Sequence, residues 1–308
     1  MKVAFQMDDL SKINFTLDST ISLILESQSR HNKNYIYTPD DLFIKDDEVY
    51  AQACFITFNI KDCTKYKCAK KKTLKLSSMN VIFIRQDPPY DMAYITSLHI
   101  LELIDSNKTR IVNDPIGIRN SPEKILIFNF PQLIPPTIVT RSSDQVIEFL
   151  KKYRKAVIKP LYGNGGAGIF LISNNDLNLN QIIESFTSNS KEPFIVQKYL
   201  PDIIKGDKRI ILVNGKLVGA IARIPKVNEI RSNIHVGGSA KKTTISKSDK
   251  IICDAIGPEL RKRKLFFVGI DIIGKHLIEI NVTSPTCIRE IKQLSKIDIS
   301  KIIWDKLV

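Results

Sequence analysis

The feature that most constrains this chain lies near its end, in Phe267-Val-Gly-Ile-Asp-Ile-Ile-Gly-Lys-His-Leu-Ile-Glu-Ile-Asn-Val-Thr-Ser-Pro-Thr-Cys287. Two apolar runs flank Gly274-Lys275, the pattern of a β-hairpin. Glu279 and Asn281 are two residues apart and share one face of a strand. Asp271 joins that face if the connection has an odd number of residues, for example 274–276. Two carboxylates and an amide oxygen would then converge, a donor set for a hard cation such as Mg2+ completed by substrate phosphates. The same alternation also suits the solvated face of an amphipathic hairpin. Thr283-Ser-Pro-Thr-Cys287, followed by Arg289, reads either as a loop that holds a charged ligand or as a turn.

The 308 residues suit two or three domains. The chain is 43% hydrophobic and 25% charged, ordinary values for a soluble globular protein. It has no apolar run of the length that spans a bilayer, so no membrane association is expected. The acidic pair Asp8-Asp9 comes too early for a signal peptide, which makes a cytoplasmic location the expectation. Five cysteines at 54, 63, 68, 253 and 287 form no C-x-x-C pair, so neither a zinc ribbon nor a disulfide framework is indicated and reduced thiols are expected. A formal charge of +14 fits nucleic acid or small anionic substrates. The densest basic run, residues 65–75, reads as a solvated loop, and no nucleic-acid-binding motif accompanies it.

Along the chain, residues 2–7 form a first strand and Asp18 caps a helix toward Arg30. A second strand (34–37), a hairpin turning at Asp46-Asp47 (43–53), a buried strand (81–85), a helix (93–106) and a strand (110–112) follow. This β-α-β order predicts a parallel, three-layer α/β domain over residues 1–121. Arg85 ends a strand where open α/β sheets bind ligands, and Pro88-Pro89 stiffen the next loop. Ser121-Pro-Glu-Lys124 reads as a helix start. Further on, residues 143–153 are helical and 156–159 a strand. Then comes Pro160-Leu-Tyr-Gly-Asn-Gly-Gly-Ala-Gly168, with another strand after it. A helix after the glycines would be needed for a Walker A loop or a dinucleotide fingerprint. The stretch is instead a flap whose glycines let backbone N–H groups approach phosphate, with Lys159 at its base. Strands at 194–200, 210–213 and 216–224, the last two joined by Asn214-Gly215, precede an aperiodic segment, 226–242, that reads as a mobile lid. A helix (246–263), the acidic hairpin and a last helix (298–306) complete the chain.

The run Glu279-Ile-Asn-Val-Thr-Ser-Pro-Thr-Cys-Ile-Arg-Glu290 closely resembles the C-terminal signature of the bacterial-type glutathione synthetases of the ATP-grasp superfamily. The likeness extends over essentially the whole chain. It implies an α/β (α+β) protein: an N-terminal three-layer pre-ATP-grasp domain (1–121), then an ATP-grasp fold of two α+β subdomains. These are a central one with the Gly-rich flap (122–200) and a C-terminal one with the metal site and lid (201–308). The implied reaction is ATP-dependent ligation of L-γ-glutamyl-L-cysteine and glycine to glutathione through an acylphosphate, with Mg2+ or Mn2+, in a homotetramer. Carried over residue by residue, Lys124, Lys159 and Arg209 would serve the transferring phosphoryl group. Gly163, Asn164, Gly165 and Gly166 of the flap, Gln197, Lys198, Tyr199 and Leu200 of the hinge, and Asp207 would hold the nucleotide. Arg85, Arg209, Arg223, Asn281 and Arg289 would meet substrate, and Asp271, Glu279 and Asn281 the metal. Two departures stand out: Tyr162 where the family carries Asp, and Ser239 in a lid where it carries Arg. A ligase with another substrate pair, an ATP-binding module without catalysis, and a nucleic-acid-binding protein are the rival readings.

Overall fold

The computed structural model describes residues 1–308 except 228, 235, 236 and 308. Its N-terminal half is built on an eight-stranded sheet. The strands are β1 (Lys2–Gln6), β2 (Lys33–Tyr37), β3 (Leu42–Lys45), β4 (Glu48–Phe58), β5 (Tyr66–Cys68), β6 (Lys72–Lys75), β7 (Val81–Ile84) and β8 (Arg110–Val112), with helices α1 (Ser19–Ser29) and α2 (Met92–Glu102) between them. Strand β1 is covered on both faces: Val3 and Phe5 pack with Ile21, Leu23 and Ile24 of α1, and Ala4 packs with Leu98 and Leu101 of α2. This double burial is why β1 and β7 read as unbroken apolar runs. Asp18 caps α1 by accepting the Ile21 N–H at 2.8 Å, and Asp91 caps α2 in the same way through Tyr94 at 2.9 Å. The three layers are as expected, but the sheet is mixed. Only β2-β1-β7-β8 are parallel, and β4 runs antiparallel to β2.

Two expectations fail beside β4. The basic run 65–75 is not a loop, because β5 and β6 both pair with β4. Nor are all thiols reduced: Cys54 on β4 and Cys68 on β5 are joined in a disulfide, with Cα atoms 6.0 Å apart. The β4–β5 pairing, which no cysteine spacing announces, brings the two together. Helix α2 also ends earlier than predicted, at Glu102.

After a short helix α3 (Pro115–Arg119), the segment 121–124 is a turn leading to a single 3-10 turn at Leu126–Asn129, not the expected helix. A four-stranded antiparallel sheet follows, in the order β11-β10-β12-β9. It comprises β9 (Thr137–Thr140), β10 (Lys155–Pro160), β11 (Phe170–Ser173) and β12 (Phe194–Lys198), with α4 (Ser143–Tyr153) and α5 (Leu179–Asn189). Val146 and Leu150 of α4 and Ile183 of α5 pack on its Ile158, Phe194 and Val196.

The last sheet has five strands in the order β15-β14-β13-β16-β17. These are β13 (Asp207–Val213), β14 (Lys216–Ile224), β15 (Ser239–Lys242), β16 (Phe267–Ile273) and β17 (His276–Asn281), with α6 (Lys247–Lys262), α7 (Ile288–Ser295) and α8 (Ile299–Leu307). Helix α6 starts in a capping box between Ser246 and Asp249. Along β13, Ile210 and Leu212 face α6, while Ile211 and Val213 face α7 and α8. Asp207 and Arg209 share the second face, so one strand is apolar under the helices and charged at its start. Part of the segment read as a lid, Ser239–Lys242, is ordered as an edge strand on β14; residues 228, 235 and 236 of that segment lie outside the described residues.

The hairpin connection is two residues, Gly274-Lys275, not three. An even turn alone would place Asp271 opposite Ile278. A β-bulge absorbs Ile278, so that Leu277 opposes Ile272 and Glu279 opposes Asp271. The bulge does the work expected of an odd connection.

The C-terminal helix ties the chain back to its beginning. Trp304 is fully buried, lies 5.4 Å from the Phe83 ring and donates its indole N–H to the Leu23 carbonyl at 3.0 Å. Trp304→Ala is expected to destabilise the protein by about 3–5 kcal/mol through the cavity and the orphaned carbonyl. Urea unfolding followed by circular dichroism checks this, and a loss below about 1 kcal/mol would place α8 outside the cooperative core.

Candidate functional site

A cavity of about 550 Å3 opens where the three sheets meet. Its floor is the charged end of the five-stranded sheet. Asp207 and Arg223 are cross-strand partners, as are Arg209 and Asp271, and Asp271 and Glu279. Arg209 grips Asp271 with two bonds, Nε to Oδ1 at 2.5 Å and Nη2 to Oδ2 at 3.0 Å. Arg223 does the same to Asp207 at 2.8 and 2.5 Å and also reaches Asp271 Oδ1 at 3.0 Å. A Cβ at Gly269 would meet Arg209 Cδ at 3.2 Å, so the glycine leaves room for the guanidinium to lie along the strand. Burial by itself would raise the Asp271 carboxyl, but the two guanidiniums outweigh it and hold the group well below the usual carboxylate range. Asn281 donates to Asp271 Oδ2 at 3.4 Å.

Two lysines face this floor. Lys124 donates to Glu279 Oε1 at 3.0 Å and to the Gly163 carbonyl at 2.6 Å, joining the floor to the flap. Lys159, at the end of β10, is buried, and desolvation pulls its ammonium down to about 8 against the pull of Glu279. The flap 160–168 carries left-handed backbone at Gly165, Gly166 and Gly168. It is docked at both sides. Asn164 donates to the Pro88 carbonyl at 3.1 Å, and Gly166 lies against Arg231 and Asn233. Tyr162, one of the two departures, stacks on Tyr90 with ring centroids 5.8 Å apart. An aspartate there could not make that contact. Gln197, Lys198, Tyr199 and Leu200 close the side of the cavity beneath the flap.

The cavity thus gathers Lys124, Lys159, the flap residues 163–166, the hinge residues 197–200, Asp207, Arg209, Arg223, Asp271, Glu279 and Asn281. Arg85 and Arg289 sit behind its wall. Arg85 is buried over the Phe267 ring and donates to Thr20 Oγ1 at 3.1 Å and to the Pro285 carbonyl at 3.0 Å. Arg289 donates to Ser22 Oγ at 2.8 Å and to the Thr16 carbonyl at 3.1 Å. Arg85 fastens the 283–287 loop to the N-terminal sheet, and Arg289 fastens the start of α7, just after that loop, to α1 and the segment before it.

Sequence reasoning missed Asp8, Asp18, Asp87 and Glu123, which also line the cavity. Asp8 follows β1 at the carboxyl end of a parallel strand, a position that flags it. Its Oδ2 accepts the Asp87 N–H at 2.8 Å, and burial pushes its carboxyl up. No pattern marks Glu123, whose carboxyl is pushed up by burial and by Glu279.

The donor set on β16 and β17 fits a divalent cation. Among the described residues no group of three Asp, Glu, His or Cys side chains is placed to hold a metal ion by itself. Two carboxylates and one amide supply only hard oxygen, so the rest of the shell must come from phosphate and water.

Comparison with known proteins identifies the family. The N-terminal domain model of prokaryotic glutathione synthetase matches residues 1–119, and the ATP-grasp domain model of the same family matches residues 123–296. The glutathione synthetase of Mesorhizobium japonicum is 46% identical over 305 residues, covering 99% of this chain and 97% of the relative. That of Agrobacterium fabrum is 45% identical, covering 99% and 95%. A glutathione synthetase of Buchnera aphidicola subsp. Acyrthosiphon pisum is 39% identical over 307 residues, covering 99% and 96%. Among solved structures, D-cycloserine synthetase DcsG superposes with a TM-score of 0.70 at 12% identity, over 100% of both chains. The ATP-grasp ligase PsnB does so with 0.64 at 15%, over 99% of this chain and 97% of its own. At such identities the likeness is one of fold.

If a nucleoside triphosphate binds beside Lys159, its charge favours the ammonium, raises the folded group's pKa from about 8 and draws in a proton. Below pH 7 the lysine is already charged and no uptake is expected. Affinity should fall as pH rises through 8, by up to about tenfold per pH unit. Calorimetry at pH 8.5 in buffers of different ionisation enthalpy reads the uptake. Its absence would show that binding does not charge Lys159, and its survival in Lys159→Met would assign the proton to another group.

Proposed function

The chain belongs to the prokaryotic glutathione synthetase family, and on that premise we propose how its residues divide the work of an ATP-dependent ligase that makes glutathione from γ-glutamylcysteine and glycine. The observation that carries the reading is the cross-strand register of Arg209, Asp271 and Glu279 beneath Lys124, Lys159 and a glycine flap. A carboxylate is a poor electrophile. The cysteinyl carboxylate of γ-glutamylcysteine attacks the γ-phosphorus of ATP, ADP leaves, and the acylphosphate carries a good leaving group. The glycine amine then attacks the carbonyl carbon, and phosphate departs as the amide forms. Such transfer needs charge neutralisation and positioning more than covalent help from the protein.

Lys124 and Lys159 neutralise the nucleotide phosphates, and flap N–H groups between Gly163 and Gly166 cradle them. Backbone at 197–200 reads adenine, with Asp207 beside the nucleotide. Arg209 faces the transferring group, and Arg223 orients the substrate carboxylate. Asp271, Glu279 and Asn281 would hold a divalent cation, Mg2+ or Mn2+, and the chemistry it would supply is neutralisation of phosphate charge. Arg85 acts on substrate through the 283–287 loop it anchors, and Arg289 through the start of α7 that follows the loop. The flap and the 231–233 segment, already in contact over the cavity, exclude water from the acylphosphate. The thiol of γ-glutamylcysteine is a passenger. We place the enzyme in the cytoplasm as a homotetramer, with the division near residues 121 and 200 as its domain boundaries. Among the described residues no helix is long and apolar enough to cross a membrane.

Phosphate release is expected to require γ-glutamylcysteine, glycine and a divalent cation, with about one phosphate per glutathione, the stoichiometry of a coupled transfer. Release at the same rate with both amino-acid substrates omitted would overturn the ligase assignment. Glu279→Gln is expected to lower kcat/KM roughly 100-fold or more, because one anionic ligand is lost while the fold remains. Near-normal turnover of that variant at limiting metal would remove Glu279 from the site.

A further inference from the structure

Strand β17 is the outer edge of its sheet, and its outward backbone groups are met by the segment between the first and second sheets. The Leu277 N–H bonds the Leu133 carbonyl at 2.8 Å, and the Ile280 N–H bonds the Glu123 carbonyl at 3.2 Å. Just past the strand, the Glu123 side chain takes over. Its Oε1 accepts the Val282 N–H at 2.8 Å, the Thr283 N–H at 3.1 Å and the Thr283 hydroxyl at 2.8 Å. Val282 and Thr283 are buried, so no solvent is at hand to replace that oxygen. Asn281 lies between two residues, Ile280 and Val282, that are both pinned by Glu123. The next residue along, Lys124, reaches Glu279 on the same strand.

We propose that Glu123 is the positioning residue of the metal-ligand strand: its main-chain carbonyl holds Ile280 on one side of Asn281 and its Oε1 fixes Val282 and Thr283 on the other, and so sets the direction of the Asn281 and Glu279 oxygens. The consequence reaches further than the ligands. Ser284, one residue beyond Thr283, donates to the Arg85 carbonyl at 3.3 Å, and Arg85 donates in turn to Pro285. Glu123 therefore stands where the phosphate-side Lys124, the cation ligands and the loop anchored to the N-terminal sheet meet. What it contributes is an acceptor at a fixed place. Its charge is not the working property, since a neutral oxygen in the same position would accept the same three bonds.

This inference rests on the reading of Asp271, Glu279 and Asn281 as metal ligands, and Mn2+ binding measured by electron paramagnetic resonance, with a non-hydrolysable ATP analogue present, separates the two. Glu279→Gln should abolish tight Mn2+ binding; if it does not, the ligand reading itself is wrong. Given that loss, Glu123→Ala should weaken Mn2+ about tenfold or more, in the range of outer-shell partners. Glu123→Gln, which keeps the acceptor oxygen, should stay within about threefold of the parent. Thr283→Val, which deletes one of the three donors, should weaken Mn2+ by about three- to tenfold, and its effect should largely vanish in the Glu123→Ala background. Mn2+ binding preserved in Glu123→Ala, with only its thermal midpoint lowered, would reduce Glu123 to a structural clasp and overturn the proposal. So would an equal loss in Glu123→Gln, which would make the charge the operative property. If Glu123→Ala does not fold, Thr283→Val decides: unchanged Mn2+ binding overturns the proposal.

Discussion

The site depends on one cross-strand contact, Asp271 facing Glu279. Like charges directly opposite each other destabilise a sheet, and here both carboxylates are also largely withdrawn from water. The arrangement holds because each is paid back in opposite charge: Asp271 by the Arg209 fork and one arm of Arg223, Glu279 by Lys124. Breaking such a buried pair by removing one partner costs roughly 3–5 kcal/mol, far more than the pair itself contributes. The cationic residues are therefore required for the folded site to exist, before any question of substrate arises. On the proposed reading the same groups meet the triphosphate, so that structural necessity and function coincide in one row of side chains.

The protein builds that row by letting strands change character along one face. On β13 the face that buries Ile211 and Val213 under α7 and α8 carries Arg209 and Asp207 two and four residues before Ile211. The apolar part anchors the strand and the charged part projects into the cavity from a rigid base. The N-terminal sheet contributes from the opposite side. Its parallel strands end in loops carrying Asp8 and Asp87; Arg85 ties the second of these to the 283–287 turn, and Arg289 on α7 ties into Thr16 and Ser22 beyond the first. The buried Trp304, from the last helix, seals the two halves at the back.

Much of this was legible in the sequence because it rests on short-range pattern. Period-two alternation placed Glu279 and Asn281 on one face, glycine density marked the flap, and Asp18 announced its helix. What escaped was long-range. The parity that brings Asp271 into line comes from a bulge at Ile278, and a bulge leaves no mark in an alternating apolar run. The Cys54–Cys68 bond and the strand character of residues 65–75 depend on pairing with β4, which the lysine-rich composition conceals. Glu123 is informative only once β17 is known to be an edge strand in need of partners. Arg85 carries a motif, but the motif does not say that its guanidinium turns back to fasten a loop 200 residues away in the chain.

In the proposed mechanism these residues activate a carboxylate by phosphorylation before an amine attacks it. Isotope transfer tests this most directly. With γ-glutamylcysteine labelled by 18O in both oxygens of its cysteinyl carboxylate, the phosphate released during glutathione synthesis should carry one labelled oxygen, detected by its shift in the 31P spectrum. Phosphate free of label, formed at the same rate as glutathione, would show that the carboxylate never bonds to phosphorus and would contradict the mechanism.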